Sequence, residues 1–188
     1  MLPSIPFWYL RHGQTDWNAR DLSQGSVDIP LNAVGVAQAH AAAALLAGRG
    51  IASIVASPLS RAQVTAQIVG KALGLPVATL DGLRETRFGV QEGQPMGGWF
   101  DTWISEEFTP DGAEPFTELR ARAVAAVTAA LVHPAPVLIV AHGALFRALR
   151  AEMGLRPDER MANAAPTHCD PPTAANTAWT LVVLATKL

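Results

Sequence analysis

The sequence predicts an α/β fold: a three-layer sandwich with a central, mostly parallel sheet flanked by helices. Three observations lead there. Short apolar runs alternate along the chain with helix-length stretches, the order that builds parallel sheets. The runs at Phe7–Leu10 and Val137–Ala141 are apolar throughout, as in strands covered on both faces. A length of 188 residues, with 49% hydrophobic and 16% charged, suits one domain over 1–188 with a sizeable core.

The elements follow in order. Phe7–Leu10 reads as a buried strand delivering a polar loop that begins at Arg11, and the loop runs on past Gly25 and Pro30. Leu31–Leu46 is an Ala-rich helix stopped by Gly48 and Gly50. Ile51–Ala56 is a strand broken by Ser57-Pro58, and Ser60–Leu73 is a helix closed by Gly74. Pro76–Leu80 reads as a short strand. Asp81 to Glu114 is irregular, and its stretch at about 86–115 is expected to face the substrate. The aromatics Trp99, Phe100, Trp103 and Phe108 in that stretch read as a small satellite core under a long loop rather than as a lid. Phe116–Leu131 is a helix, Val137–Ala141 a strand and Gly143–Met153 a helix. Thr167–Asp170 and Ala178–Leu184 are late strands around Pro171-Pro172.

Charge and cysteine content narrow the function classes. With 14 Lys+Arg against 16 Asp+Glu the net charge is -2, which gives no electrostatic reason to expect nucleic acid or an anionic membrane as partner. The single Cys169 excludes an intramolecular disulfide and a cysteine-rich zinc site. No apolar run approaches the roughly 18 residues of a membrane span. The start of the chain lacks a basic segment and a signal-length apolar stretch before Arg11, so a cytoplasmic protein is expected.

The chemistry gathers at strand ends. Trp8-Tyr9-Leu10-Arg11-His12-Gly13 and Leu138-Ile139-Val140-Ala141-His142-Gly143 share one format, an apolar strand running into His-Gly. A third strand runs into Ser57-Pro58-Leu59-Ser60-Arg61, with the arginine in the first turn of a helix. Ligands of open α/β sheets bind at the carboxyl ends of the strands, where helix N-termini favour anions. One histidine at a strand end is more often a polar cap than a reactive group. Two histidines and two arginines at three strand ends suit a phosphate dianion, which guanidinium groups hold through paired hydrogen bonds. Arginines repel cations, so no metal site is expected there, and no other cofactor. His40 and His133 read as structural, and His168 beside Cys169 as part of a late strand.

These residues carry a resemblance. Arg11-His12-Gly13-Gln14-Thr15-Asp16-Trp17-Asn18 resembles the signature of the histidine phosphatase superfamily, the phosphoglycerate mutase-like family. Gln24-Gly25, Asp28-Ile29-Pro30-Leu31, Gly35 and Gln38-Ala39 continue it; Ser57-Pro58-Leu59-Ser60-Arg61-Ala62, Leu83-Arg84-Glu85 with Phe88-Gly89 and Glu92-Gly93, and Val140-Ala141-His142-Gly143 complete it in the family order. The resemblance implies the phosphoglycerate mutase-like fold, His12 as nucleophile and Glu85 as general acid. It implies that Arg11, Arg61 and His142 surround the transferred phosphoryl group, with Asn18 and Gln24 as further contacts. Gly13 and Gly143 would leave room for close backbone approach to the ligand. Neighbouring positive charge should keep the His12 ring neutral. Where the family often has Gly-Glu-Ser before the next helix, this chain has Gly112-Ala113-Glu114-Pro115, so no serine is carried over there.

The function these readings imply is hydrolysis of a small phosphorylated metabolite through a phosphohistidine, with a homodimer left open. The first alternative is a cofactor-dependent phosphoglycerate mutase-type phosphotransferase. It is disfavoured because the mutases resemble longer chains with paired arginines after the third motif, whereas Gly93 to Glu118 holds no Arg or Lys. The second is a non-catalytic phospho-ligand-binding protein, whose mark would be loss of His12 or of the acid; both are present.

Overall fold

The computed structural model describes residues 1–184; positions 185–188 of the expected domain lie outside the described residues. In chain order the elements are β1 (Phe7–Arg11), α1 (Asp16–Ala19), α2 (Ala33–Leu46), β2 (Ser53–Ala56), α3 (Ser60–Leu73), β3 (Val77–Thr79), α4 (Trp99–Ile104), α5 (Phe116–Ala130), β4 (Val137–Ala141), α6 (Gly143–Glu152), β5 (Thr167–Asp170) and β6 (Thr180–Val183). The strands form one sheet in the order β3-β2-β4-β1-β5-β6. β1 to β4 are mutually parallel, and β5 runs antiparallel to both β1 and β6, so the sheet is mixed and mostly parallel as expected.

The pleat sorts the strand side chains into two cores. Trp8, Leu10, Ile54, Ala56, Leu138 and Val140 pack against Ala42, Ala43 and Leu46 of α2 and Ala66 and Val69 of α3. Their alternates Phe7, Tyr9, Val55, Ile139 and Ala141 pack against α5 and α6 on the other face. All five residues of β1 and of β4 are buried, which explains why neither strand shows polar alternation.

Two helices depart from the sequence reading. The four-residue α1, in the stretch read as loop, is fixed by a capping box: Asn18 N–H donates to Thr15 Oγ1 at 3.1 Å and Thr15 N–H to Asn18 Oδ1 at 3.3 Å. So short a segment has no period to detect. The other, α4, lies in the segment expected to be irregular. It is held by tertiary packing: Trp103 is fully buried, its Nε1–H donates to the Glu114 carbonyl at 2.9 Å, and its ring meets Phe88, Phe100 and Phe116 edge-on or tilted. Phe100 and Trp103 are thus buried, but in the same core as Phe7, Tyr9 and Ile139 rather than in the separate satellite expected, and Phe108 is exposed. Among the described residues no helix is long and apolar enough to cross a membrane.

One close backbone approach sets where β1 ends. A Cβ on Gly13 would lie 2.3 Å from the Gly35 carbonyl oxygen, and one on Gly35 would lie 2.1 Å from that of Gln14. Gly13 thus serves the contact with α2, not room for a ligand, which corrects the sequence expectation. Gly35→Ala should force this loop apart and lower unfolding free energy by about 1–3 kcal/mol, the usual cost of overpacking. Urea unfolding checks this, and a neutral result would show that the junction can yield.

Candidate active site

Strand ends β1, β2 and β4 bring the predicted residues to one edge of the sheet. His12 is buried, and its Nδ1 lies 2.7 Å from the carbonyl oxygen of Gly13. A carbonyl only accepts, so Nδ1 carries the proton and the neutral ring keeps its lone pair at Nε2. Burial first, then Arg61 and Arg11, push the His12 pKa well below 6.5, against a smaller opposing pull from the Gly13 hydrogen bond. The neutral ring expected from neighbouring charge is thus owed first to burial.

His142 stands behind His12, fully buried, with the ring centres 5.3 Å apart. Its Nε2 lies 2.7 Å from Ser57 Oγ, while its Nδ1 is buried and has no partner among the described residues. Tyr9 fixes its backbone, donating to the His142 carbonyl at 2.8 Å and accepting from the His142 N–H at 3.2 Å. Burial, then Arg61, His12 and Arg11, depress this imidazole as well. His142 does not itself line the open cavity, in contrast to Arg11, His12, Arg61 and Glu85.

The arginines are anchored by one part of the guanidinium and open at another. Arg61, fully buried, donates from Nη1 to Val27 O at 2.7 Å and from Nη2 to Gly25 O at 2.8 Å. Arg11 donates from Nη1 to Met161 O at 2.7 Å. In both, Nε is buried and has no partner among the described residues. Burial is the first cause lowering both pKa values, that of Arg11 to about 10. A Cβ on Gly143 would stand 3.3 Å from Arg11 Nε, so this glycine gives room to the arginine. A cavity of about 150 Å³ opens at these groups.

Among the described residues Glu85 makes none of the ion pairs that a purely structural carboxylate would form. Instead it caps α6: Oε2 accepts from Ala144 N–H at 2.9 Å, and Oε1 accepts from Leu145 N–H at 3.0 Å and from Thr86 N–H at 3.1 Å. The chain before it is tied down by Arg122, whose Nη1 donates to the carbonyls of Gly82 and Arg84 at 2.9 and 2.8 Å. Glu114, in place of the family's Gly-Glu-Ser, grips the other edge of Arg122 at 2.8 and 2.7 Å.

Asn18, Gln24 and Gly143 also line the cavity. Asn18 Oδ1 is taken by Thr15 and by Asn163 Nδ2, so its Nδ2 is the group left for a ligand. Gln24 Oε1 is buried without a partner. His40 and His133 are exposed outside the cavity, and His168 sits in β5, tilted against Trp8 and paired with Asp170. Among the described residues, no group of three His, Cys, Asp or Glu side chains could hold a metal ion.

Sequence reasoning missed Arg147, and it read the late loop from Arg160 to Asn176, which holds Arg160, Met161 and Asn163, as a specificity loop without naming its contacts. Arg147 lies one helical turn after Gly143 on α6, so helical spacing could have placed both on one face. The others had no local signal. Asn163 Nδ2 donates to the His12 carbonyl at 3.0 Å, and Phe88, Met96 and Phe100 supply an apolar wall.

Fold and site together define an α/β protein built around an anion-sized cage. The model of the histidine phosphatase superfamily (branch 1) matches residues 7–182, and the chain belongs to that superfamily. A Bacillus subtilis relative named uncharacterized phosphatase PhoE is 38% identical over 145 residues, 77% of this chain and 75% of that protein. The probable phosphoglycerate mutase GpmB of Yersinia enterocolitica is 39% identical over 166 residues, covering 81% and 77%. Among solved structures, a mycobacterial glucosyl-3-phosphoglycerate phosphatase in complex with VO3 matches with a TM-score of 0.82 and 32% identity, over 95% of this chain and 97% of that one.

Two imidazoles held neutral in the fold make stability depend on pH. The unfolded chain takes up their protons near pH 6.5, whereas the fold does so only at lower pH. Their contribution is fully present above 6.5 and is lost as pH falls, at up to about 1.4 kcal/mol per pH unit for each histidine. Urea unfolding at pH 7.5 and 5.5 should show a smaller loss for His12→Asn than for wild type, and equal losses would contradict a neutral His12.

Proposed function

We propose that this chain is a phosphatase that hydrolyses a small phosphate monoester through a phosphohistidine on His12. The observation that carries the reading is the pair of buried nitrogens with no partner among the described residues, Arg11 Nε and Arg61 Nε, in side chains that line the cavity with His12. Buried donors without acceptors are costly, and the oxygens of a phosphoryl group would satisfy them together.

In this mechanism the His12 Nε2 lone pair attacks phosphorus and the P–O ester bond breaks. Arg11 and Arg61 stabilise charge on the equatorial oxygens. Oε2 of Glu85 accepts only one N–H, against two at Oε1, and so has a lone pair free to hold the proton passed to the departing oxygen. Water then attacks the phosphohistidine while Glu85 takes its proton, which restores both residues and releases phosphate. The GpmB relative keeps a mutase reading in view. Product analysis with 3-phosphoglycerate distinguishes them, because a phosphatase releases inorganic phosphate where a mutase forms 2-phosphoglycerate.

Rapid quenching during turnover should trap an acid-labile, base-stable phosphoenzyme that His12→Ala lacks. Vanadate should inhibit, and EDTA should leave activity intact. Labelling that persists in His12→Ala, or activity lost to EDTA and restored by a divalent metal, would overturn the mechanism.

Glu85→Gln separates proton donation from capping. An alkoxide needs a proton to leave, whereas p-nitrophenolate leaves nearly unaided. Where phosphoryl transfer limits both, single-turnover rates should fall about 10²–10⁴-fold on an alkyl phosphate and much less on p-nitrophenyl phosphate. Equal losses would mean that Glu85 only caps α6.

A further inference from the structure

A path of hydrogen bonds runs from the end of β1 to the cavity through a residue that no strand-end motif contains. Asn163 lies in the loop before β5, and its Nδ2 donates to the His12 carbonyl at 3.0 Å and to Asn18 Oδ1 at 3.2 Å. Both hydrogens of that amide are thereby used. Backbone fixes the polarity at each end. The His12 carbonyl only accepts, so Asn163 must turn its nitrogen toward it. The Thr15 N–H only donates, so Asn18 must turn its oxygen toward Thr15 and its nitrogen away.

The Thr15 bond alone holds Asn18 weakly, because 3.3 Å exceeds the roughly 2.7–3.2 Å of a well-formed N–H···O bond. Asn163 supplies the second hold on the same oxygen. Asn18 lines the cavity with Arg11, His12 and Arg61, and with its oxygen held its Nδ2 is the group presented there. A flipped amide would present the oxygen instead, whose lone pairs would repel a phosphoryl dianion. The loop that carries Asn163 is itself pinned to β1. Met161 O accepts from Arg11 Nη1 at 2.7 Å, and Ala164 N–H donates to the Arg11 carbonyl at 3.0 Å. Ala164 is buried with φ at 48°, in the left-handed region, which is costly for a residue with a Cβ. Backbone of this kind persists where its surroundings overdetermine it, and it clusters at functional sites.

We propose that Asn163 is a positioning residue for phosphoryl binding: anchored on the His12 carbonyl, it holds the Asn18 amide so that a donor, and not an acceptor, faces the cavity. The inference rests on the reading that a phosphoryl group binds beside His12. Asn163 does not line the cavity, so it acts through Asn18 and touches no substrate. Its effect should therefore depend on Asn18, whereas a residue that merely braces its loop would act whether or not Asn18 is present.

A double-mutant cycle on the full chain tests this, with orthovanadate binding measured by calorimetry. Asn18→Ala should weaken binding by about 10–100-fold, the worth of a hydrogen bond to a charged group. Asn163→Ala should lose a similar factor in the native background and less than about threefold in Asn18→Ala. Asn163→Leu, which fills the same space without a donor, should repeat the pattern and decides the case if the alanine variant does not fold. Equal losses in both backgrounds would mean that Asn163 only braces the loop, and would overturn the proposal. So would full vanadate affinity in Asn163→Leu or in Asn18→Ala, or a wild type that binds no vanadate. Binding is read without turnover. A chain that shows the coupling but forms no phosphoenzyme keeps the positioning role and loses the phosphohistidine mechanism.

Discussion

Two guanidinium groups buried beside a neutral imidazole are the constraint around which the rest of the site is arranged. Each cation has lost water, and burial is the first cause of the lowered pKa of both Arg11 and Arg61. The hydrogen bonds that hold the groups come from backbone carbonyls, Gly25 and Val27 for Arg61 and Met161 for Arg11, while Glu85, joined at Arg61 by Asp28 and Glu92, acts on them only through its charge. A carboxylate bonded directly to them would neutralise the charge. A carbonyl fixes the group and leaves its net charge intact.

Holding carbonyls in place requires holding their loops. Glu92 accepts from the Ser26 N–H and hydroxyl and from Phe88 N–H, at 2.8, 2.9 and 3.2 Å, which joins the loop that grips Arg61 to the segment after Glu85. Ala164 N–H donates to the Arg11 carbonyl at 3.0 Å, and Asn163 to that of His12, so the loop before β5 is bonded to the end of β1. The segments read as irregular are thus ordered by hydrogen bonds that converge on the site. Rigidity of this kind supplies electrostatic stabilisation without reorganisation during the reaction.

The same frame accounts for relatives named both phosphatase and phosphoglycerate mutase. Under the proposed function, the arginine–histidine cage takes the phosphoryl group whatever carries it. The carriers would then be distinguished outside the cage, where Phe88, Met96 and Phe100 line the cavity. That division explains why fold and cage are legible in the motifs and the substrate is not.

The sequence by itself determined the α/β class and the strand ends that carry His12, Arg61 and His142, because continuous apolar runs and helix punctuation are local signals. Ser60–Leu73 and Val137–Ala141 were legible to the residue. Tertiary structure alone decided the rest. β5 pairs antiparallel beside β1, a placement and direction that local sequence does not encode. The helix α4 exists because Trp103 finds Phe88, Phe116 and the Glu114 carbonyl. Glu85 stands at the start of α6 because Arg122, far along the chain, holds the carbonyls on either side of Leu83. Arg61 Nε has no partner among the described residues because Gly25 and Val27, near it in space and not in sequence, hold the rest of its guanidinium. A side chain's unused hydrogen-bonding capacity is defined only once all its neighbours are in place.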